Sequence, residues 1–148
     1  MGNPFIEMLG IEFIHFKPRL SEAKLKVEYK HLNPWNNLHG GVFAALADTV
    51  MGAAVRATGK LAVTVNLVLN YLQPVKEGEE ILCQGKVIYE GKNIIHAEAV
   101  MTVESRLVGR ATGVFYVVGE APVSLIPKLS VRQKCSSKIN LGKRDRLP

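Results

Sequence analysis

A histidine and two glycines stand directly before an apolar segment that contains one acid. The segment runs from Gly40 to Val55, and Asp48 is its only charged residue. His39 directly precedes this segment, so the predicted helix begins at Gly40. The backbone N–H of Gly40 has no partner within the helix, because the first N–H groups of a helix are unpaired. Such an amide lies at the positive end of the helix dipole and can donate to an anionic oxygen. A carboxylate in apolar surroundings rarely occurs without a reason. These two groups could act together on a carbonyl.

The spacing of the two groups constrains how they could act. His39 and Asp48 are separated by nine residues, which is about 13 Å along a helix and roughly half a turn around it. The two residues therefore cannot meet on one substrate atom within one chain. If both act on the same carbonyl, a second copy must supply one of them, which predicts a homodimer with composite sites. Helical spacing places mostly small residues around Asp48, which predicts a lining for a ligand or partner: Ala44, Ala45, Met51, Gly52 and Val55.

Length and composition are those of one soluble domain. The chain has 148 residues, of which 47% are hydrophobic. The first residues lack the basic and apolar regions of a signal peptide, and no apolar run is long enough to cross a membrane, so we expect a cytoplasmic protein. Cys83 and Cys135 show no metal-ligand spacing. We expect both thiols to be free, and we expect no metal site.

The net charge of +6 is concentrated at the C-terminal end. From Gly119 onward there are seven Lys or Arg residues against two acidic ones, so five of the six net charges lie there. We therefore predict a domain over residues 1–118 and a basic extension over residues 119–148. The extension could bind phosphates of a substrate, contact an acidic partner, or be a solvated tail. Since the body is nearly neutral, a nucleic-acid partner is not favoured.

The remaining pattern predicts a sheet around the central helix. Asn3 to Gly10 has the capping residues of a short helix, and Gly59 ends the long one. A long antiparallel sheet must bury its apolar face, and the long helix is apolar nearly all round, so we expect the sheet to enclose it in an α+β fold. The predicted strands are Ile11–Lys17, Ala23–Tyr29, Ala62–Leu72, Glu79–Tyr89, Asn93–Val103 and Arg106–Val118.

A resemblance to a known family rests on these motifs. Asn33 is followed six residues later by His39-Gly40-Gly41, then by Asp48, and then by a strand that contains Thr64 and ends before a proline. This order resembles the hotdog-fold acyl-CoA thioesterases of the phenylacetate-degradation type, over roughly residues 4–118. The resemblance implies a curved antiparallel sheet wrapped around a long central helix, in a homodimer and often a homotetramer. It also implies hydrolysis of acyl-CoA or aryl-CoA, with CoA as part of the substrate and no bound cofactor.

The resemblance assigns a role to each candidate residue. Asp48 would be the nucleophile or the general base toward water. The backbone N–H of Gly40 would polarise the thioester carbonyl, and His39 would orient this loop or the carbonyl. Asn33 would help hold the reacting water or the region of the nucleophile. Thr64 would bond to the acid or to its water.

Each residue also has a structural alternative. Asp48 could be an acid bonded to the backbone or to a basic residue of the partner chain. His39 could cap the helix, while Gly40 forms part of a tight turn. Asn33 could shape a turn with the following proline, and Thr64 could simply be a strand residue. The remaining histidines, His15, His31 and His96, are assigned no chemical role.

Two other functions remain open. Hotdog enoyl-CoA hydratases and dehydratases also pair a histidine with an acid across a dimer, for proton transfer. A non-catalytic acyl-CoA-binding regulator would have the fold without turnover, and could use the basic extension on nucleic acid.

Overall fold

The computed structural model describes residues 3–122, which form a six-stranded antiparallel sheet with a long helix packed on one face. The strand order is β1-β2-β4-β5-β6-β3, so β1 and β3 are the edges. This confirms the predicted α+β hotdog architecture. The elements are α1 (Pro4–Leu9), β1 (Ile11–Lys17), β2 (Leu20–Lys26), a 3-10 turn (Tyr29–His31), α2 (Gly40–Arg56), β3 (Lys60–Tyr71), β4 (Glu80–Glu90), β5 (Ile94–Val103) and β6 (Arg106–Glu120).

The first helix follows its capping residues. The side chain of Asn3 accepts a hydrogen bond from the backbone N–H of Ile6, and Pro4 occupies the first helical position. Gly10 ends the helix in the left-handed region, with φ of 75°. The predicted helix between Asn3 and Gly10 is confirmed.

The second strand differs from the sequence prediction of Ala23–Tyr29. It begins at Leu20, because β1 and β2 join through a tight turn in which Arg19 has φ of 68°. Lys17 then pairs with Leu20. At the other end the chain leaves the strand before Tyr29, which lies in the 3-10 turn with 78% of its surface exposed. The predicted end of this strand at Tyr29 was therefore wrong.

The core lies between α2 and the inner face of the sheet. A Cβ on Gly85 would lie 2.9 Å from the backbone of Val50, so the glycine allows α2 to approach β4 closely. The hydroxyl of Ser21 donates to the carbonyl oxygen of Val50 at 2.6 Å. Cys83 is buried in this core, and burial raises the pKa of its thiol. Its thiol is free, as expected, whereas Cys135 lies outside the described residues.

One face of α2 is not covered by other parts of residues 3–122, contrary to the expectation of full enclosure. Nine of its residues are buried against the sheet. From residue 44 to residue 56, the residues that remain half-buried recur at helical spacing and form one stripe, because the sheet contacts only the opposite side of the helix. We call this the α2 stripe; it consists of Ala44, Ala45, Asp48, Thr49, Gly52 and Arg56.

The last strand continues past residue 118. Glu120 pairs with Lys60, and the backbone N–H of Ala121 donates to the carbonyl oxygen of Gly59. Most of the predicted basic extension, residues 123–148, lies outside the described residues. Across residues 3–122, the helices are too short or too polar to span a bilayer.

Candidate active site

Asp48 and Thr64 meet between the middle of α2 and the edge strand β3. The Thr64 hydroxyl donates to Asp48 Oδ1 at 2.7 Å. Thr64 pairs with Phe115, whose buried side chain faces the helix, and residues directly opposite each other in a sheet point to the same face. The register shifts just after Thr64, at Val65. The sheet register therefore turns this hydroxyl toward the acid.

A cavity of about 310 Å³ opens beside this pair. It lies between α1, the α2 stripe and β3, with Asp48 and Thr64 in its wall. Its wall combines apolar side chains with two cationic residues. The other lining residues are Asn3, Ile6, Thr49, Gly52, Arg56, Lys60, Leu61, Ala62 and Phe115.

His39 is the N-cap of α2. Its ring Nδ1 accepts a hydrogen bond from the backbone N–H of Gly41 at 2.8 Å. A ring that accepts at Nδ1 carries its proton at Nε2, and that nitrogen has no partner within residues 3–122. A Cβ on Gly41 would lie 3.1 Å from Nδ1, which explains the glycine. In this chain His39 thus caps the helix and leaves one N–H available.

The N-terminus of α2 is held by a tyrosine that the sequence analysis did not single out. The Tyr71 hydroxyl donates to the carbonyl oxygen of Gly40 at 3.2 Å, and its ring packs edge-on against Phe43. A Cβ on Gly40 would lie 3.1 Å from that hydroxyl. The N–H of Gly40 has no hydrogen-bond partner in the described part of the chain. The site therefore offers an unpaired amide at a helix N-terminus.

Asn33 shapes the loop before α2. Its Oδ1 accepts from the backbone N–H groups of Trp35 and Asn37, at 2.9 and 3.1 Å. This is the turn geometry that the sequence analysis gave as the alternative. Asn33 and Gly40 also line a second cavity, of about 390 Å³, together with Asn37, Leu38, Phe43, Tyr71, Leu72, Gln73 and Pro74.

The structure thus forms two separate groups from the five candidate residues. Thr64 bonds to Asp48 in the wall of one cavity. Asn33 and Gly40 line the other cavity, and His39 directly precedes Gly40 as the N-cap of α2. The two cavities share no lining residue. They lie at positions along α2 that are about 13 Å apart.

His31 supports the loop from beneath, although the sequence analysis gave it no role. Its ring is buried, with Nδ1 accepting from the N–H of Glu28 at 3.0 Å and Nε2 lying 2.9 Å from the carbonyl oxygen of Leu9. Its own carbonyl oxygen accepts from the N–H of His39 at 2.8 Å. His31 therefore links α1 to the start of α2.

A third cavity, of about 740 Å³, shares no lining residue with either of these. Its wall includes the ion pair of Arg106 with Glu79, whose nitrogen and oxygen are 2.7 Å apart. A hydrogen bond from the Lys76 backbone N–H, together with Arg106, lowers the pKa of Glu79. Within residues 3–122, no group of three or more potential metal ligands occurs.

Known proteins that are similar to this chain include thioesterases. The family model of the thioesterase superfamily matches residues 36–110. Human acyl-coenzyme A thioesterase 13 (Homo sapiens) is 32% identical over 101 residues, which are 66% of this chain and 72% of the relative.

Two solved structures are similar in both fold and sequence. The protein smu.793 of Streptococcus mutans UA159, bound to acetyl CoA, has a TM-score of 0.74 and 26% identity, covering 76% of this chain and 91% of its own. A mutant of the phenylacetic acid degradation protein PaaI from Thermus thermophilus has a TM-score of 0.75 and 25% identity, covering 77% and 98%. The chain therefore belongs to the thioesterase superfamily, whose hotdog fold it adopts, and it is a thioester hydrolase.

Proposed function

We propose that the protein hydrolyses acyl-CoA or aryl-CoA thioesters to the free acid and CoA, at sites shared between two protomers. The observation that carries this proposal is the arrangement on α2. An oriented carboxylate lies in the middle of the helix, and an unpaired amide lies at its N-terminus. The names of the relatives, an acyl-coenzyme A thioesterase and a protein bound to acetyl CoA, support the substrate class.

In the proposed reaction the carbonyl of the thioester lies between the two groups. Asp48 either attacks the carbonyl carbon itself or takes a proton from a water molecule that attacks it. The negative charge that develops on the carbonyl oxygen is stabilised by the N–H of Gly40, a donor of a kind worth about 2.7–4 kcal/mol of barrier. The C–S bond then breaks and CoA leaves as the thiolate, which takes up the proton held by Asp48 or, after direct attack, a proton from water. If Asp48 attacks directly, water hydrolyses the resulting anhydride and restores the carboxylate.

The second protomer is proposed because of the β3 edge and the α2 stripe. β3 exposes apolar side chains, with Val63, Val65 and Val68 each more than half exposed, at 52%, 63% and 51%. A long apolar edge strand is a ready surface for pairing with another strand. A second copy paired antiparallel along β3 would extend the sheet and bring the two α2 stripes side by side in opposite directions. The N-terminus of one helix would then lie near the middle of the other. Further pairing of dimers into a tetramer is part of the same proposal.

Mixed dimers test the shared site. Asp48→Asn removes the acid from one chain, and Gly40→Pro removes the amide hydrogen from the other. In a mixed dimer both defects fall into one composite site and leave the second site intact. Random mixing should therefore restore about a quarter of the wild-type activity. If each chain holds a complete site, every site keeps one defect and the mixture stays inactive.

The reaction itself is tested with a panel of CoA thioesters and a reagent for free thiols. Thiol release from saturated acyl-CoA is expected. A hydratase would change the absorbance of an enoyl-CoA without releasing thiol, and an acyl-CoA-binding regulator would bind the ester without turnover. Either result would overturn the proposal. Cytoplasmic location stays a prediction, which fractionation of cells would test.

A further inference from the structure

A second charged residue lies on the same face of α2 as the acid. Arg56 follows Asp48 by eight residues, so the two lie in the same stripe, about 12 Å apart along the helix axis. Both line the cavity of about 310 Å³. Side chains of a helix lean toward its N-terminus, which is the direction of Asp48 from Arg56.

The two cations of this cavity differ in their partners. The ammonium of Lys60 lies 3.0 Å from Glu90 Oε1 and donates to the carbonyl oxygen of Gly91, also at 3.0 Å. Arg56 forms no ion pair and no side-chain hydrogen bond within residues 3–122. The remaining charged residue in the wall is Asp48, whose Oδ1 accepts from Thr64. A guanidinium presents several donors in a planar fork that matches a carboxylate.

The path between the acid and Arg56 suits an alkyl chain. Gly52 lies between them on the stripe, and a Cβ there would meet nothing nearer than the Phe115 ring at 3.8 Å. Because Gly52 has no side chain, the cavity has more space beside this part of its wall. Phe115 and Ala62 add apolar surface beside it. A chain attached at the thioester carbonyl can follow this surface and end at a cation.

We propose that Arg56 binds a carboxylate at the far end of the acyl group, so that the preferred substrates are CoA monothioesters of medium-length dicarboxylic acids. This inference rests on the thioesterase function proposed above. The cavity volume is at the small end of the range of about 300–1,000 Å³ for ligand pockets, which fits an acyl group but not the whole of CoA. The carboxylate is therefore assigned to the acyl group rather than to a CoA phosphate.

Arg56 also lies in the last turn of α2, where a cation interacts favourably with the helix dipole. That interaction would stabilise the helix equally with every substrate. The experiment must therefore compare two substrates that differ only at the distal end. Adipyl-CoA and hexanoyl-CoA have acyl chains of equal length, with and without a terminal carboxylate.

The measured quantity is the ratio of kcat/KM for adipyl-CoA to that for hexanoyl-CoA. The wild-type ratio is expected to be about tenfold or more, and Arg56→Met should lower it at least about tenfold, since a charge-assisted pair is worth more than 1.4 kcal/mol. Arg56→Lys keeps the charge without the fork, so an intermediate ratio is expected. Arg110→Met is the matched control, because Arg110 is exposed on the outer face of β6. It should leave the ratio unchanged.

The outcomes distinguish a failure of the thioesterase proposal from a failure of the role assigned to Arg56. Release of thiol from neither of these esters, nor from an aryl-CoA, by the wild-type protein would overturn the thioesterase proposal itself. Turnover of hexanoyl-CoA with a wild-type ratio near one would overturn only the role of Arg56, and this result needs no variant to fold. An equal loss on both esters in Arg56→Met would also overturn it, because it would assign Arg56 to a CoA phosphate or to the stability of α2.

Discussion

The hydroxyl of Thr64 donates to the carboxylate of Asp48 at 2.7 Å, joining the edge strand β3 to the middle of the central helix. The position of the acid therefore depends on a strand that has a neighbour on only one side among the described residues, 3–122. Under the proposed pairing of β3 with a second copy, dimer formation would hold the strand that orients the acid. Assembly and reactivity would then be linked through this one hydrogen bond.

Loss of the carboxylate should stop the reaction without unfolding the protein. Asp48→Asn keeps the shape and the acceptor for Thr64 but removes the charge, and Asp48→Ala removes the whole group. Thiol release should fall by at least about 10²-fold in both variants, since a general base or nucleophile contributes at least that much. Because Asp48 is only half-buried, both variants should keep the thermal unfolding midpoint and the oligomeric state of the wild type. Full activity in either variant would remove Asp48 from the mechanism.

Thr64→Val should reduce turnover while leaving the strand intact. Valine has nearly the same shape and favours strands, but it cannot donate to Asp48. A hydrogen bond to a charged group is worth about 1.5–3 kcal/mol, so kcat should fall about tenfold or more. Thr64→Ser keeps the hydroxyl and is the matched control. If valine and serine behave alike, Thr64 is only a strand residue.

Replacement of Gly40 can separate the amide hydrogen from the glycine itself. Proline is tolerated at the first position of a helix, and His39 has φ of −64° and ψ of 135°, which suit a residue before proline. Gly40→Pro should lower kcat about 10²–10³-fold, the effect of losing one oxyanion donor. Gly40→Ala adds a similar carbon near Tyr71 but keeps the N–H, so its loss should be smaller. Equal losses in steady-state kinetics would mean that crowding, not the amide, is responsible.

His31→Leu should destabilise the fold. The buried ring bonds to the N–H of Glu28 and to the carbonyl oxygen of Leu9, and leucine would leave both groups without a partner. The free energy of unfolding should fall by about 2 kcal/mol or more, as measured by urea denaturation. The control is His96→Leu, at an exposed position. An unchanged denaturation midpoint for His31→Leu would show that these bonds add nothing.

Glu79 should make stability depend on pH in the acid range. Its pKa is lowered from 4.5, chiefly by the hydrogen bond from the Lys76 N–H; desolvation opposes this shift, and the hydrogen bond and charge of Arg106 add to it. A carboxyl with a lower pKa in the folded state stabilises the protein above its unfolded pKa, and this contribution is lost as the pH falls through the folded pKa. Glu79→Gln should therefore be less stable than wild type at neutral pH, and the difference should shrink on acidification. The effect should be modest because the pair is partly exposed.

Denaturation curves of both proteins at several pH values measure this difference. Glu77→Gln is the matched control, since Glu77 is exposed and forms no ion pair within residues 3–122. A difference that stays constant with pH would mean that the charge of Glu79 is not involved.

The local pattern of the sequence determined most of the elements. Capping by Asn3 and Gly10 predicted α1, and the His39-Gly40 junction predicted the start of α2. Those signals act over one helical turn, so they can be read without the rest of the fold. The strands β3 to β6 were predicted to within two residues, because short turns separate runs of strand-forming residues.

The tertiary structure decided which side chains meet. Alternation assigns residues to two faces but does not fix the register between strands, and a bulge reverses the faces beyond it. The contact of Thr64 with Asp48 depends on the pairing of Thr64 with Phe115 and on the shift at Val65. Packing between distant segments likewise decides three other features: the hydrogen bond from Tyr71 to Gly40, the burial of His31, and the position of Arg56 in the cavity. Such contacts leave no local pattern, because the partners are chosen by the fold and not by their neighbours in the chain.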